Sequence, residues 1–400
     1  MISLNPFKFN RCDWFLVVWV LYYLQGTLYE SGGALGTALL GVNLLVSLVC
    51  AVKVSQMHDT PIYFRGLGLL LVMFTIYGFA LIASHPGIIH YPSGREVSSY
   101  NYIKSIYLSM LPIYAFYYFS RKGYLTAERL RAWFIIFFIS CVYSYIHYRT
   151  QTIELRSKTG ASVEEITNNA GYLFLSLLPI IVLFRKRPLV QYISLAAILL
   201  FVVLGMKRGA IMICVVITAY FFSQMIRQSH GRRKFFLIML TALLCIVTVY
   251  FVSYWISVSD YMEKRIEDTL NGNSSGRDNL YEFFWTYFTK EADSIHYFFG
   301  RGANGTLEIY KNYAHNDWLE IAVNQGLVGV IIYAYYWLCF YKTWKRATNP
   351  DAKLIIALVG IIYFAKTLFS MSYSDMTYVC TSVFGYALAT SAQSCRKLRQ

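Results

Sequence analysis

This sequence predicts an all-α integral membrane protein with about twelve transmembrane helices, and three observations carry that reading. Hydrophobic residues make up 57% of the chain and charged residues only 14%, a balance outside that of soluble domains. Apolar runs long enough to cross a hydrocarbon core recur from one end to the other. Lys and Arg gather in every second connection between those runs, the pattern that the positive-inside rule produces.

The apolar segments lie near 13–31, 33–52, 66–84, 102–119, 132–148, 171–184, 189–206, 209–226, 235–256, 317–340, 354–371 and 376–392. No cleavage site of small residues follows the first, so it reads as a retained helix. Clusters such as Lys8/Arg11, Lys53/Arg65, Arg185/Lys186/Arg187 and Lys342/Lys345/Arg346 mark the cytoplasmic connections, with both termini on that side. Three opposite connections are long, near 85–101, 149–170 and 257–316, and a long ordered loop is usually functional. In the last, 259–270 has the pattern of a short amphipathic helix and 271–277 that of a Gly/Ser/Asn turn. From Asp278 to Phe288, Leu280, Phe283, Phe284 and Tyr287 fall at helical spacing, as in an interfacial helix lying on or dipping into the bilayer. The chain divides into N-terminal membrane helices, 1–170, and a second unit, 171–400, that includes the loop 257–316.

A net charge of +15 raises the question of nucleic acid, but the basic residues sit in short clusters between apolar runs and form no groove or stacking motif. The eight cysteines lie in or beside apolar runs without a CxxC pair and read as small core residues. There is no HExxH, no DxD, no Cys/His cluster and no Walker loop. The expected chemistry is therefore metal-independent, with no cofactor and no ATP hydrolysis.

The stretch from Gly300 to Gly329 is where polar and ionisable residues crowd against the start of an apolar helix. Asn316 or Asp317 is placed to cap that helix, which sets His315 at a membrane-helix mouth. An imidazole there suits a general base for a hydroxyl nucleophile, and equally an interfacial cap or anchor. Asp317 and Glu320 are the carboxylates nearest in sequence and are candidates to orient it.

Lys207 and Arg208 interrupt two apolar runs on the outer side, where the positive-inside rule calls for no charge. They fit either a tight turn with snorkelling side chains or an anion site. Arg277, after Ser275-Gly276, is a second outer cation, and two guanidinium groups on one side suit phosphate or pyrophosphate. An exposed loop arginine explains Arg277 as well. Arg301 and Lys311 add positive potential or are solvated loop charge. Lys366, inside the eleventh span, needs a cavity, a partner or a route to the surface.

His315-Asn316-Asp317-Trp318-Leu319-Glu320 followed by Gly326-Leu327-Val328-Gly329 resembles the HNxxL…GxxG signature of the O-antigen ligase and polymerase superfamily of bacterial inner-membrane glycan transferases. Lys207-Arg208-Gly209-Ala210 is similar to the basic pair that opens a helix in that family, and Ser275-Gly276-Arg277 to its loop arginine. The likeness covers about 170–391 and reaches the N-terminal helices only in hydropathy. It implies a GT-C-like transferase in the bacterial inner membrane, with its active site facing the periplasm and an undecaprenyl-pyrophosphate-linked oligosaccharide as donor. Arg208 and Arg277 would be catalytic and bind the donor pyrophosphate, helped by Lys207, Arg301 and Asn316. His315 would deprotonate or orient the acceptor hydroxyl, with inversion at the anomeric carbon.

The acceptor would be a lipid-linked glycan in a polymerase or lipid A-core in a ligase, and a chain-length regulator is a further partner the resemblance allows. The moderate outer loop and the aromatic residues near the motif favour the polymerase. A transporter or flippase is the reading from another class, and it calls for repeats and charges near the bilayer midplane.

Overall fold

The computed structural model describes residues 8–25, 28–29, 32–92, 94–159, 170–205, 207–232, 234–239, 241–243, 246, 250 and 277–397. Of the described residues 79% are helical. Among the described residues six helices are long and apolar enough to cross a membrane: Ala34–Ser55, Tyr63–Ser84, Ala127–Gln151, Arg208–Arg227, Asp317–Arg346 and Pro350–Phe369. Shorter apolar helices accompany them, an architecture that fits a multi-pass membrane protein.

In chain order the first half comprises α1 (Arg11–Tyr23), α2 (Ala34–Ser55), α3 (Tyr63–Ser84), a hairpin of β1 (Ile88–His90) and β2 (Glu96–Ser98), α4 (Ser99–Met110), α5 (Pro112–Arg121) and α6 (Ala127–Thr159). The second half continues with α7 (Ala170–Leu175), a 3-10 turn (Leu178–Phe184), α8 (Pro188–Leu204), α9 (Arg208–Arg227), α10 (Arg277–Thr286), a π turn (Tyr287–Glu291), α11 (Ser294–Phe299) and α12 (Gly305–Ile309). It closes with α13 (Asp317–Arg346), α14 (Pro350–Phe369) and α15 (Tyr378–Lys397).

Several expectations are corrected. The segment near 102–119 is two helices meeting at Pro112, whose ring and missing N–H suit a helix start. The segment near 171–184 is a short helix followed by a 3-10 turn around Pro179. The connection expected at 149–170 begins as helix, because α6 runs on to Thr159, and its remainder lies outside the described residues. The amphipathic helix read at 259–270 lies wholly outside them, as does the turn read at 271–277 except for Arg277, and the apolar segment 235–256 in large part.

The helix read as interfacial turns its apolar face inward. Leu280, Phe284 and Tyr287 are buried in a small core with Ala314 and Val323, and Phe283 packs against its edge. Its apolar face packs on the loop before α13 and on Val323 within that helix.

A larger core joins the remaining helices. Small residues set the closest approaches: a Cβ on Gly66 would lie 2.9 Å from the Tyr336 backbone, and one on Gly385 2.7 Å from Phe116. These pairs hold α3 against α13 and α15 against α5, the way membrane helices pack when lipid removes the hydrophobic drive between them.

Candidate active site

Helix α13 is broken near its start. Gly326 has φ 68° and ψ −165°, outside helical geometry, so Asp317–Gln325 forms a short helix separate from the long one that follows. The break releases the carbonyls of Val323 and Asn324, which accept hydrogen bonds from the backbone N–H groups of Arg301 and Gly302, both at 2.9 Å. The two backbones touch. A Cβ on Gly300 would sit 2.4 Å from the Asn324 oxygen and one on Gly326 2.5 Å from the Phe298 oxygen, so both positions require glycine. The expected continuous run through 317–340 is thus corrected, and the loop before His315 is stitched to the unwound turn.

His315 lies just before this helix, half-buried, with φ 51° in the left-handed region. Asn316 is the cap. Its Oδ1 accepts from the Trp318 and Leu319 N–H groups at 3.0 and 3.2 Å, while its Nδ2 donates to the Leu368 carbonyl at 3.0 Å. Both ends of the amide are therefore used within the protein, joining the start of α13 to the end of α14. The Tyr281 hydroxyl lies 3.2 Å from the carbonyl oxygens of both His315 and Leu368 and shares its proton between them.

The carboxylates do not orient the imidazole. Asp317 accepts from Tyr333 Oη at 2.7 Å and the Ser372 N–H at 2.9 Å. Glu320 accepts from Thr306 Oγ1, the Ala314 N–H and Asn324 Nδ2 at 2.6, 2.7 and 3.0 Å. Both side chains are fully buried and every oxygen has a donor, so they hold the loop in place. No described residue hydrogen-bonds the His315 ring.

Arg277 and the Lys207-Arg208 start of α9 come together at the C-terminal end of α14. Arg277 Nη1 donates to the Phe369 carbonyl at 2.9 Å, filling one of the acceptors that a helix end leaves open. Gly209 packs on the same residue: a Cβ there would fall 2.6 Å from the Phe369 ring and 2.4 Å from the Tyr172 hydroxyl. This glycine lets the Lys207-Arg208 start of α9 reach the end of α14.

Burial lowers the His315 pKa below its ordinary 6.5, and the charges of Arg277, Arg95 and Lys207 push it further in the same direction. The imidazole is consequently neutral near pH 7 and free to accept a proton.

Arg95 was absent from the sequence-based candidates. The hairpin β1–β2, closed by Tyr91 N–H donating to the Arg95 carbonyl at 2.9 Å, carries its guanidinium to 5.6 Å from the Tyr313 ring centre. Its signal in the sequence was a cation in an outer connection, the anomaly that drew attention to Lys207 and Arg208.

Arg301 is engaged elsewhere, pairing with Glu308 at 3.3 Å and donating to Tyr287 Oη at 2.9 Å. Lys366 is buried and bound to Asp375 at 2.6 Å, with the Tyr172 ring centre 5.0 Å away, so an ion-pair partner explains it. Among the described residues no group of three or more His, Cys, Asp or Glu is arranged to hold a metal ion.

No curated protein matches this chain. Residues 193–334, which include Lys207, Arg208, Arg277 and His315, match the family model described as O-antigen ligase, in keeping with the O-antigen ligase and polymerase superfamily that the motifs resemble and with transferase activity of that kind.

Proposed function

We propose that the protein is a GT-C-like surface-polysaccharide polymerase of the bacterial inner membrane, with about twelve spans, cytoplasmic termini and a periplasmic site. It extends a lipid-linked repeat unit with a glycan taken from an undecaprenyl-pyrophosphate donor. The observation that carries this reading is the gathering of Arg277, the Lys207-Arg208 helix start and His315 around Leu368 and Phe369. Cations and a neutral imidazole set side by side match what glycan transfer from a pyrophosphate carrier demands.

In this mechanism Arg208 and Arg277 bind the donor pyrophosphate and offset the negative charge that builds on it as the anomeric bond breaks. His315 takes the proton of the acceptor hydroxyl as its oxygen attacks the opposite face of that carbon, which inverts the configuration. Both steps proceed without a metal. Asn316, Tyr281 and Glu320 hold the backbone of the loop that carries the imidazole. The division into units 1–170 and 171–400 assigns the chemistry to the second, with Arg95 contributed by the first.

The second reading, equally compatible with the matched family model, is a ligase whose acceptor is the sugar of lipid A-core. Purified protein given an undecaprenyl-pyrophosphate-linked oligosaccharide, with and without lipid A-core and beside His315→Ala, separates the two. Longer lipid-linked chains without lipid A-core, lost in the variant, are the expected result. Product only with lipid A-core makes the protein a ligase. No turnover with either acceptor and a matched donor overturns both and returns the transporter reading.

A further inference from the structure

Two cavities lie at the end of the molecule opposite His315, one between the starts of α6, α8 and α14, the other where the C-terminus of α2 and the end of α5 meet the start of α1. Their charge content differs. The larger, about 1170 Å³, is lined by Arg131, Arg185, Lys186 and Arg187 but also by Glu128 and Asp351. Arg185 pairs with Asp351 at 3.3 Å and Arg131 with Glu128 at 3.8 Å, so its positive charge is partly met from within.

The smaller, about 620 Å³, is a groove between α1, α2 and α5. Its walls are apolar, among them Trp14, Phe15, Val42, Leu45 and Val49, and three cations, Arg11, Lys53 and Lys122, rim it. No carboxylate lines it. Lys53 and Lys122 both stand over the Tyr118 ring, at 5.3 and 5.9 Å from its centre, and no ion pair with an acidic residue joins any of the three among the described residues. Asp13, the carboxylate nearest in sequence to Arg11, is already taken by Arg129, Trp133 and the Asn10 N–H.

Two ammonium groups on one ring repel each other, and the quadrupole of the ring compensates only part of that cost. A bound anion removes the remainder. Trp14 is largely exposed, as expected of a residue at head-group depth, and the apolar wall beneath the cations suits an acyl chain.

We infer that this groove is a binding site for an anionic phospholipid of the cytoplasmic leaflet, its phosphate held among Arg11, Lys53 and Lys122 and one acyl chain laid along Val42, Leu45 and Val49. Zwitterionic lipids carry their own ammonium to the same place and lose the gain. The site lies at the opposite membrane face from His315 and is independent of the glycan chemistry.

The test uses the full-length protein in nanodiscs and the Trp14 fluorescence, taken as the difference between wild type and Trp14→Phe. Brominated phosphatidylglycerol is expected to quench that signal at a mole fraction about tenfold lower than brominated phosphatidylcholine does. Lys53→Gln/Lys122→Gln is expected to bring the two lipids together. Arg185→Gln/Arg187→Gln, which removes the same charge from the other cavity, keeps the preference. Equal quenching by both lipids in the wild type overturns the inference, as does an unchanged preference in the Lys53/Lys122 variant. A preference lost equally in the Arg185/Arg187 variant also overturns it, by reducing the effect to net charge.

Discussion

The Arg277 guanidinium donates to the Phe369 carbonyl at 2.9 Å, and through that bond the arginine that opens α10 is anchored to the last turn of α14. The end of a helix carries partial negative charge, so the cation is stabilised there while its other N–H groups remain available to a ligand. The same turn receives Asn316 through Leu368 and faces Gly209 through the Phe369 ring. One helix terminus thus gathers three segments distant in sequence.

His315→Ala is expected to lower turnover by about 10²-fold or more, the range of a lost general base, with the thermal unfolding temperature in detergent little changed. Chain elongation of the lipid-linked substrate on a gel reads the first effect. Wild-type turnover in the variant removes the imidazole from the mechanism.

The pH profile provides a separate check. With His315 as the proposed neutral base, kcat/KM is expected to be lost as the pH falls through its pKa in the folded protein, which lies below 6.5. Arg95→Gln removes one of the charges that disfavour the imidazolium, so the acid limb moves to higher pH. An unmoved limb in Arg95→Gln excludes this influence. The lowered pKa also makes the unfolded chain the stronger proton binder, and from this group stability falls as the pH drops from 6.5 toward the folded value.

Glu320→Ala leaves Thr306, the Ala314 N–H and Asn324 without their buried acceptor, at an expected cost of about 3 kcal/mol. Activity is lost as well, because Ala314 precedes His315 and moves with the loop. Unfolding temperature and elongation measured together on one preparation test this; a variant as stable as wild type contradicts it.

Gly326→Ala combines a positive φ with a Cβ placed 2.5 Å from the Phe298 oxygen. An expected destabilisation of at least about 2 kcal/mol follows, because neither backbone segment can move without breaking the Arg301 and Gly302 hydrogen bonds. Gly41→Ala, with open space around it, serves as the matched control and is expected to be neutral or slightly stabilising.

Asn316→Ala removes the cap of α13 and the bond to Leu368, with an expected loss of about 1–2 kcal/mol. Asn316→Asp keeps the cap but sets a carboxylate against the Leu368 carbonyl oxygen, so its stability falls between alanine and wild type. Thermal unfolding of the three proteins gives the order directly.

The sequence by itself determined the membrane character of this chain, its helical class, and the positions of His315, Arg277 and the Lys207-Arg208 pair as anomalies. Each of these is local: hydropathy is a property of a short window, and a cation on the outer side stands out against the charge pattern around it. The tertiary structure alone decided that the two cation-bearing segments, Arg277 and Lys207-Arg208, and the segment of the histidine meet at Leu368 and Phe369. It alone showed that Glu320 and Asp317 hold the loop instead of the imidazole, that the apolar face of α10 turns inward, and that Lys366 is matched by Asp375. It also brought in Arg95, a loop cation that no local pattern links to His315. Such relationships depend on which helix ends lie side by side, and that follows from the packing of small residues such as Gly66, Gly209 and Gly326 against particular partners, for which a linear pattern carries no coordinate.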